Sequence, residues 1–145
     1  MEHTILAVED EQGIREAIGI YMKNQGYNVI LAANGKEGLE KIETNDIHLA
    51  IVDIMMPVMD GIAATKAIRA MDRADAKTIP IIAMTANAFS EDIRHSLTAG
   101  MNAHISKPVE MEVLKKTIKS IKINGGAQIP ISKLCRQDME MRFLR

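Results

Sequence analysis

A chain of 145 residues that is 47% apolar, 26% charged and 3% aromatic is about one domain long and has the apolar mass for one core, which excludes a disordered or fibrous protein. Eighteen basic and nineteen acidic side chains leave a formal charge of −1, so no overall field draws the chain to nucleic acid or to an anionic membrane. Two Tyr, two Phe and no Trp are too few rings for a base-stacking platform, and no direct nucleic-acid binding is expected.

The start, Met1-Glu2-His3-Thr4, carries no basic segment, and no window approaches the roughly 18 apolar residues of a membrane span. The expectation is a soluble, cytoplasmic protein with no membrane partner. Cys135 has no second cysteine with which to form a disulfide, a metal site or a redox pair, and reads as an incidental thiol.

Thr4 to Val8 is a short apolar run ending in acids, and Ile14, Ala17, Ile18, Tyr21 and Met22 then recur at helical spacing up to Gly26. Strand followed by helix repeats along the chain. Asn28 to Ala32 is a second strand, and Asn34 can cap a helix whose inner face is Leu39 and Ile42. A third strand, His48 to Val52, ends at Asp53. Beyond Gly61 a helix turns Ile62, Thr65, Ile68 and Met71 inward, and a polar connection leads to the apolar run Ile79 to Met84, where Pro80 fits only at the start of a strand. Phe89, Ile93 and Leu97 mark a fourth helix before Gly100, and Ala103-His104-Ile105 a brief fifth strand. A last helix begins after Pro108, burying Met111, Leu114, Ile118 and Ile121 and turning Lys115, Lys116, Lys119 and Lys122 outward.

Apolar strands alternating with amphipathic helices call for a parallel sheet covered on both faces, a doubly wound α/β fold of five strands and five helices. Residues 1–123 form this domain. Asn124-Gly125-Gly126 reads as a break, and residues 124–145 as a linker and tail that could dimerise, extend the last helix or stay disordered.

In such a sheet the loops after the carboxyl ends of the strands form the working edge. The first strand ends at Glu9 and Asp10, the third at Asp53, the fourth at Thr85, and the fifth is followed by Lys107-Pro108. Two carboxylates ~5 Å apart cost roughly 3 kcal/mol at an effective dielectric of about 20. Mg²⁺ relieves that repulsion, because it takes one or two protein carboxylates and accepts phosphate oxygens in its remaining positions. Lys107 adds a point charge suited to phosphate, and Thr85 a hydroxyl donor. Taken singly, Glu9 or Asp10 reads as a solvated strand end, Thr85 as a helix cap and Lys107 as surface charge. Asp53 does not, since apolar residues flank it on both sides and an unpaired carboxylate there is costly.

Over about residues 3 to 123 the sequence resembles the receiver domain of bacterial two-component response regulators, through I-L-A-V-E-D-E at Ile5 to Glu11, D-I-M-M-P-V-M-D-G at Asp53 to Gly61, M-T-A at Met84 to Ala86 and S-K-P at Ser106 to Pro108. The resemblance implies a flavodoxin-like sheet in the order 2-1-3-4-5. It also implies phosphoryl transfer onto Asp53 from a phosphohistidine on a histidine kinase or histidine phosphotransfer protein. Asp10, Asp53 and the backbone carbonyl of Met55 would bind Mg²⁺ directly and Glu9 through water, while Lys107 would neutralise the phosphoryl oxygens. No general base is expected, because a carboxylate near its reference pKa of about 4 is already ionised. The Lys107–Pro108 bond is expected to be cis. Gly61 reads either as a turn position or as a simple helix start.

The resemblance further implies a switch in which Thr85 moves toward the phosphoryl group and residue 104 turns inward behind it. That residue is His104, where the family more often has Tyr or Phe; the other reading is a partly exposed strand residue. Glu9 is longer than the Asp common at its place. Met55 and Asn87 would line the route of water to the phosphoaspartate.

The competing reading is a Mg²⁺-dependent phosphohydrolase with an aspartate nucleophile, not a signalling domain without enzymatic turnover of its own. A hydrolase needs a second acid two residues beyond the nucleophile, where this chain has Met55. The segment Met84 to Ile121 looks most like receivers of hybrid histidine kinases, whereas Ile14 to Pro57 fits DNA-binding regulators equally well. A stand-alone protein and a piece of a longer one both remain open, as does an acidic partner for the lysines of the last helix against a merely solvated face.

Overall fold

In the computed structural model, residues 3–56, 58–86 and 91–121 are described, with the side chains of 91–93 excepted. The expectations for Pro57, Asn87, Phe89, the Ile93 side chain, Lys122, Cys135 and the tail lie outside the described residues.

Ten elements alternate along the chain: β1 (Thr4–Val8), α1 (Gln12–Asn24), β2 (Asn28–Ala32), α2 (Gly35–Thr44), β3 (Leu49–Asp53), α3 (Gly61–Arg69), β4 (Ile81–Thr85), α4 (Glu91–Ala99), β5 (Ala103–Ser106) and α5 (Met111–Ser120). The strands form one parallel sheet in the order β2-β1-β3-β4-β5, as the sequence implied. Strand alternation sends each side chain to one of two cores. On one face Leu6, Val8, Ala50, Val52, Ile81 and Ala83 meet Ile42 of α2 and Ile68 of α3. On the other, Ile5, Leu49, Ile51, Ile82 and Met84 meet Ile18 and Met22 of α1 and Leu114 and Ile118 of α5.

Local chemistry sets the helix ends. The Asn34 side chain accepts a hydrogen bond from Glu37 N–H and caps α2, and Asp60 does the same for α3 through Ala63 N–H at 2.7 Å. Gly26 follows α1 at φ 94°, a conformation that favours glycine. Pro80 lies just ahead of β4, where its missing N–H costs nothing, and its carbonyl accepts from Ala50 N–H at 2.9 Å. Arg69, at the end of α3, uses its guanidinium on main-chain carbonyls of Ala76, Ile79 and Gly100 and on the Asn102 side chain.

Three expectations need correction. Ala17 does not face the core: it is exposed, and Gly19 takes the buried place, where a Cβ would lie 3.4 Å from the Leu31 side chain. β2 is apolar yet only half-buried over Val29 to Leu31, because it is an edge strand. Met111 is partly buried at the first turn of α5, while Leu114, Ile118 and Ile121 are buried as expected.

Candidate functional site

The carboxyl ends of β1 and β3 lie side by side in the sheet, with Val8 opposite Val52, so the acids that follow them converge. One carboxylate oxygen from each of Glu9, Asp10 and Asp53 lies within 4.8 Å of the others. Glu9 and Asp53 are buried and Asp10 is exposed. Lys107 enters from the loop after β5 and places its Nζ 2.9 Å from Asp53 Oδ2 and 2.9 Å from Glu9 Oε1. The sequence reading gave this lysine to an incoming phosphoryl group alone; in the structure it already bridges two of the acids. The Lys107–Pro108 peptide bond is cis.

Main-chain bonds hold the acids in place. Glu9 N–H continues the ladder to Ala32 O at 3.0 Å, and Glu9 Oε2 accepts from Glu11 N–H at 3.1 Å. Met55 N–H donates to Asp53 Oδ1 at 3.3 Å, which turns that carboxylate back over its own loop. Gly61 N–H donates to Ile54 O at 3.0 Å and closes the loop between β3 and α3. Lys107 N–H donates to Thr85 O at 2.8 Å, which ties the lysine's main chain to the end of β4.

Burial and the hydrogen bonds within the cluster shift the proton affinities of its members. Burial pushes the Glu9 carboxyl up to about 7, against the opposing pull of the Lys107 and Glu11 bonds. Burial also raises Asp53, and Lys107 is the main group working against that rise, so the expectation of an ordinary carboxylate needs correction. Hydrogen bonding to Glu9 holds Asp10 below the usual carboxylate range. Burial works to lower the Lys107 ammonium, and its bonds to Asp53 and Glu9 outweigh that and hold it above the ordinary value.

Three clustered carboxyl groups, two of them bridged by one ammonium, form an under-compensated set of hard oxygen donors. That chemistry fits a small divalent cation, Mg²⁺ in particular. Met55 stands two residues beyond Asp53 with 66% of its surface exposed, so the structure puts a thioether where an aspartate-nucleophile hydrolase needs its second acid. Val58, in the same loop, has φ 71° and is 78% exposed, an uncommon conformation for a β-branched residue.

Thr85 closes β4 with 2% of its surface exposed, and His104 on β5 is paired with Ala83 and 1% exposed. The reading of His104 as a partly exposed strand residue is therefore overturned. Ala103 and Ile105 join the core under α1 and α5, so His104 points to the opposite face of the sheet. In α5, Lys116 and Lys119 are exposed and Lys115 is half-buried.

Sequence reasoning missed Arg15, whose Nη1 donates to Glu9 O at 2.9 Å and to Asp10 O at 3.3 Å. Gly61, read as a turn position or a helix start, is the first residue of α3, and what favours glycine there is space: a Cβ would lie 2.3 Å from Asp53 O. Among the described residues no helix is long and apolar enough to cross a membrane.

The sensor kinase/phosphatase CqsS of Vibrio cholerae is 39% identical over 113 residues, which cover 78% of this chain and 16% of CqsS. The transcriptional regulatory protein CseB of Streptomyces avermitilis is 33% identical over 117 residues, covering 81% of this chain and 48% of CseB. The chain thus spans about half the length, or less, of these two relatives. Among solved structures, the receiver domain of the Pseudomonas aeruginosa sensor histidine kinase PA1611, with a magnesium ion coordinated in its active-site cleft, superposes with a TM-score of 0.75 at 33% identity, covering 83% of this chain and 97% of that one. Residues 5–119 match the response regulator receiver domain, and the chain belongs to that family.

Proposed function

We propose that Asp53 is the residue that accepts a phosphoryl group, and that the donor is a phosphohistidine on a histidine kinase or histidine phosphotransfer protein. The observation that carries this reading is the approach of Lys107 Nζ to 2.9 Å from Asp53 Oδ2 beside two further acids, which joins a nucleophile, a cation site and a phosphate-binding charge in one cluster. The hydrolase alternative is not favoured, because no second acid follows at position 55.

Asp10, Asp53 and the Met55 carbonyl would hold Mg²⁺ directly, with Glu9 acting through water. When bound, the ion neutralises the acids and the phosphoryl oxygens that approach them. An Asp53 carboxylate oxygen attacks phosphorus in line; a P–O bond forms as the P–N bond to the donor imidazole breaks, and the imidazole leaves with the bonding pair. Positioning and charge neutralisation carry most of such a reaction. Lys107 exchanges part of its hold on Asp53 for the phosphoryl oxygens, and the Thr85 hydroxyl donates to the same anion. His104, already buried behind Thr85's strand, fills the space that Thr85 leaves as it moves. Residues 1–123 form the receiver unit, a signalling domain that takes part in its own phosphorylation, and a partner carries the output.

Intact mass after incubation with acetyl phosphate and Mg²⁺ tests the reading. The wild-type chain is expected to gain one phosphoryl group and Asp53→Asn none. Equal gains in both would move the acceptor to another residue.

A further inference from the structure

The loop between β1 and α1 carries two of the three clustered acids, and its anchoring is unusual. α1 starts behind Glu11, whose side chain makes no capping bond, and its first turn contains no acid. Helix starts usually gain a side-chain cap that also fixes the entering loop. Here a side chain reaches back from inside the helix instead. Arg15 Nη1 donates to the carbonyl oxygens of Glu9, at 2.9 Å, and Asp10, at 3.3 Å.

Those two carbonyls belong to the two peptide planes that flank the Asp10 α-carbon. Fixing both planes fixes φ and ψ of Asp10, and with them the direction of its Cβ and carboxylate. Glu9 is otherwise tied at its N–H to Ala32 O and at its carboxylate to Glu11 N–H and Lys107. Asp10 has an exposed side chain, so the aim of its carboxylate depends on the backbone that carries it. A charged donor is well suited to this task, because hydrogen bonds from a guanidinium are stronger than those from neutral groups.

We propose that Arg15 is a positioning residue for the cation site, holding the main chain so that Asp10 and Glu9 meet Asp53 in one ligand set. This inference rests on the reading that these acids bind Mg²⁺. The sign of its effect separates it from simple electrostatics. A guanidinium near clustered carboxylates competes with a cation for their charge, so charge alone would make removal of Arg15 tighten Mg²⁺ binding. Loss of the backbone clamp weakens it.

Calorimetric titration of the full chain with Mg²⁺, in wild type, Arg15→Ala and Arg15→Lys, reads that sign. Arg15→Ala is expected to weaken Mg²⁺ by about tenfold, the lower end of what loss of an outer-shell partner costs. Arg15→Lys keeps the charge and a donor and recovers part of the affinity. Phosphorylation of Asp53 by acetyl phosphate, titrated with Mg²⁺, supplies a second readout. In Arg15→Ala the half-saturating Mg²⁺ concentration rises, while the rate at saturating Mg²⁺ returns to near the wild-type value; general structural damage would depress the rate at every concentration. Unchanged or tighter Mg²⁺ binding by Arg15→Ala overturns the inference alone. Failure of the wild-type chain to bind Mg²⁺ overturns the site reading and the inference with it.

Discussion

The first residue of α3 is pressed against the end of β3: a Cβ built on Gly61 would lie 2.3 Å from the Asp53 carbonyl oxygen and 3.0 Å from the Ile54 α-carbon. Both obstacles are backbone, so neither can swing aside as a side chain would. Gly61→Ala is therefore expected to push α3 off β3, at about 1–3 kcal/mol of stability, the range for overpacking a close contact. Urea unfolding measures that loss. Because the displaced atoms belong to Asp53, its phosphorylation should slow as well, whereas an unchanged unfolding midpoint would mean that the helix has room to retreat.

Lys107 compensates two buried carboxyl groups at once. Its ammonium is held above its ordinary value, so it is charged in folded and unfolded chains alike at every pH from 5 to 8. Removing it leaves the acids to repel, and Lys107→Ala is expected to cost about 3 kcal/mol at pH 8, in line with breaking one partner of a buried pair. At pH 5 the loss should be smaller, since Glu9, raised to about 7, then carries a proton. Metal-free urea unfolding of both proteins at the two pH values gives the comparison.

At the proposed cation site, Mg²⁺ and protons would compete for Glu9. Its carboxyl rises from 4.5 in the unfolded chain to about 7 when folded, so between those values the folded state binds more protons. Without metal, stability from this group is present at low pH and falls as pH rises through that window. Mg²⁺ affinity runs the other way, since the bound ion requires the deprotonated acids. Calorimetry at pH 6 should give binding about tenfold weaker than at pH 8. Chelator treatment should accordingly lower the melting midpoint more at pH 8 than at pH 6.

Arg69 spends all five of its N–H donors on neutral acceptors, namely the carbonyls of Ala76, Ile79 and Gly100 and the Asn102 amide oxygen. It thereby staples the end of α3 to the segments before β4 and β5. Gly100 itself, at φ 113°, would bring any Cβ to within 3.0 Å of Arg69 Nε. Arg69→Lys keeps the charge but cannot fork, and several acceptors lose their donors. The expected cost is about 2–4 kcal/mol, read by thermal or urea unfolding, with little dependence on pH between 6 and 8.

The alternation of strands and helices and the acid cluster were legible because their signals are local, whereas the order of the strands in the sheet followed only from the family resemblance. Apolar runs of five residues followed by Glu9, Asp53 or Thr85 announce a strand and the group at its tip without reference to anything distant. The misses share a different physics. Ala17 and Gly19 exchange roles because the closeness of α1 to Leu31 is a tertiary distance that helical periodicity does not encode. Arg15 and Arg69 drew no reading from the sequence, because their acceptors are mostly main-chain carbonyls, which every residue has and no motif marks. Gly61 was singled out, but only the gap to Asp53 tells space from backbone conformation as its cause. His104 lies on the last strand and still loses nearly all its exposure, so edge position alone did not predict its burial.

The link from Lys107 N–H to Thr85 O couples the main chains that carry the lysine and the threonine at two neighbouring strand tips. On the proposed reading, a phosphoryl group that pulled on either residue would load the main chain of both.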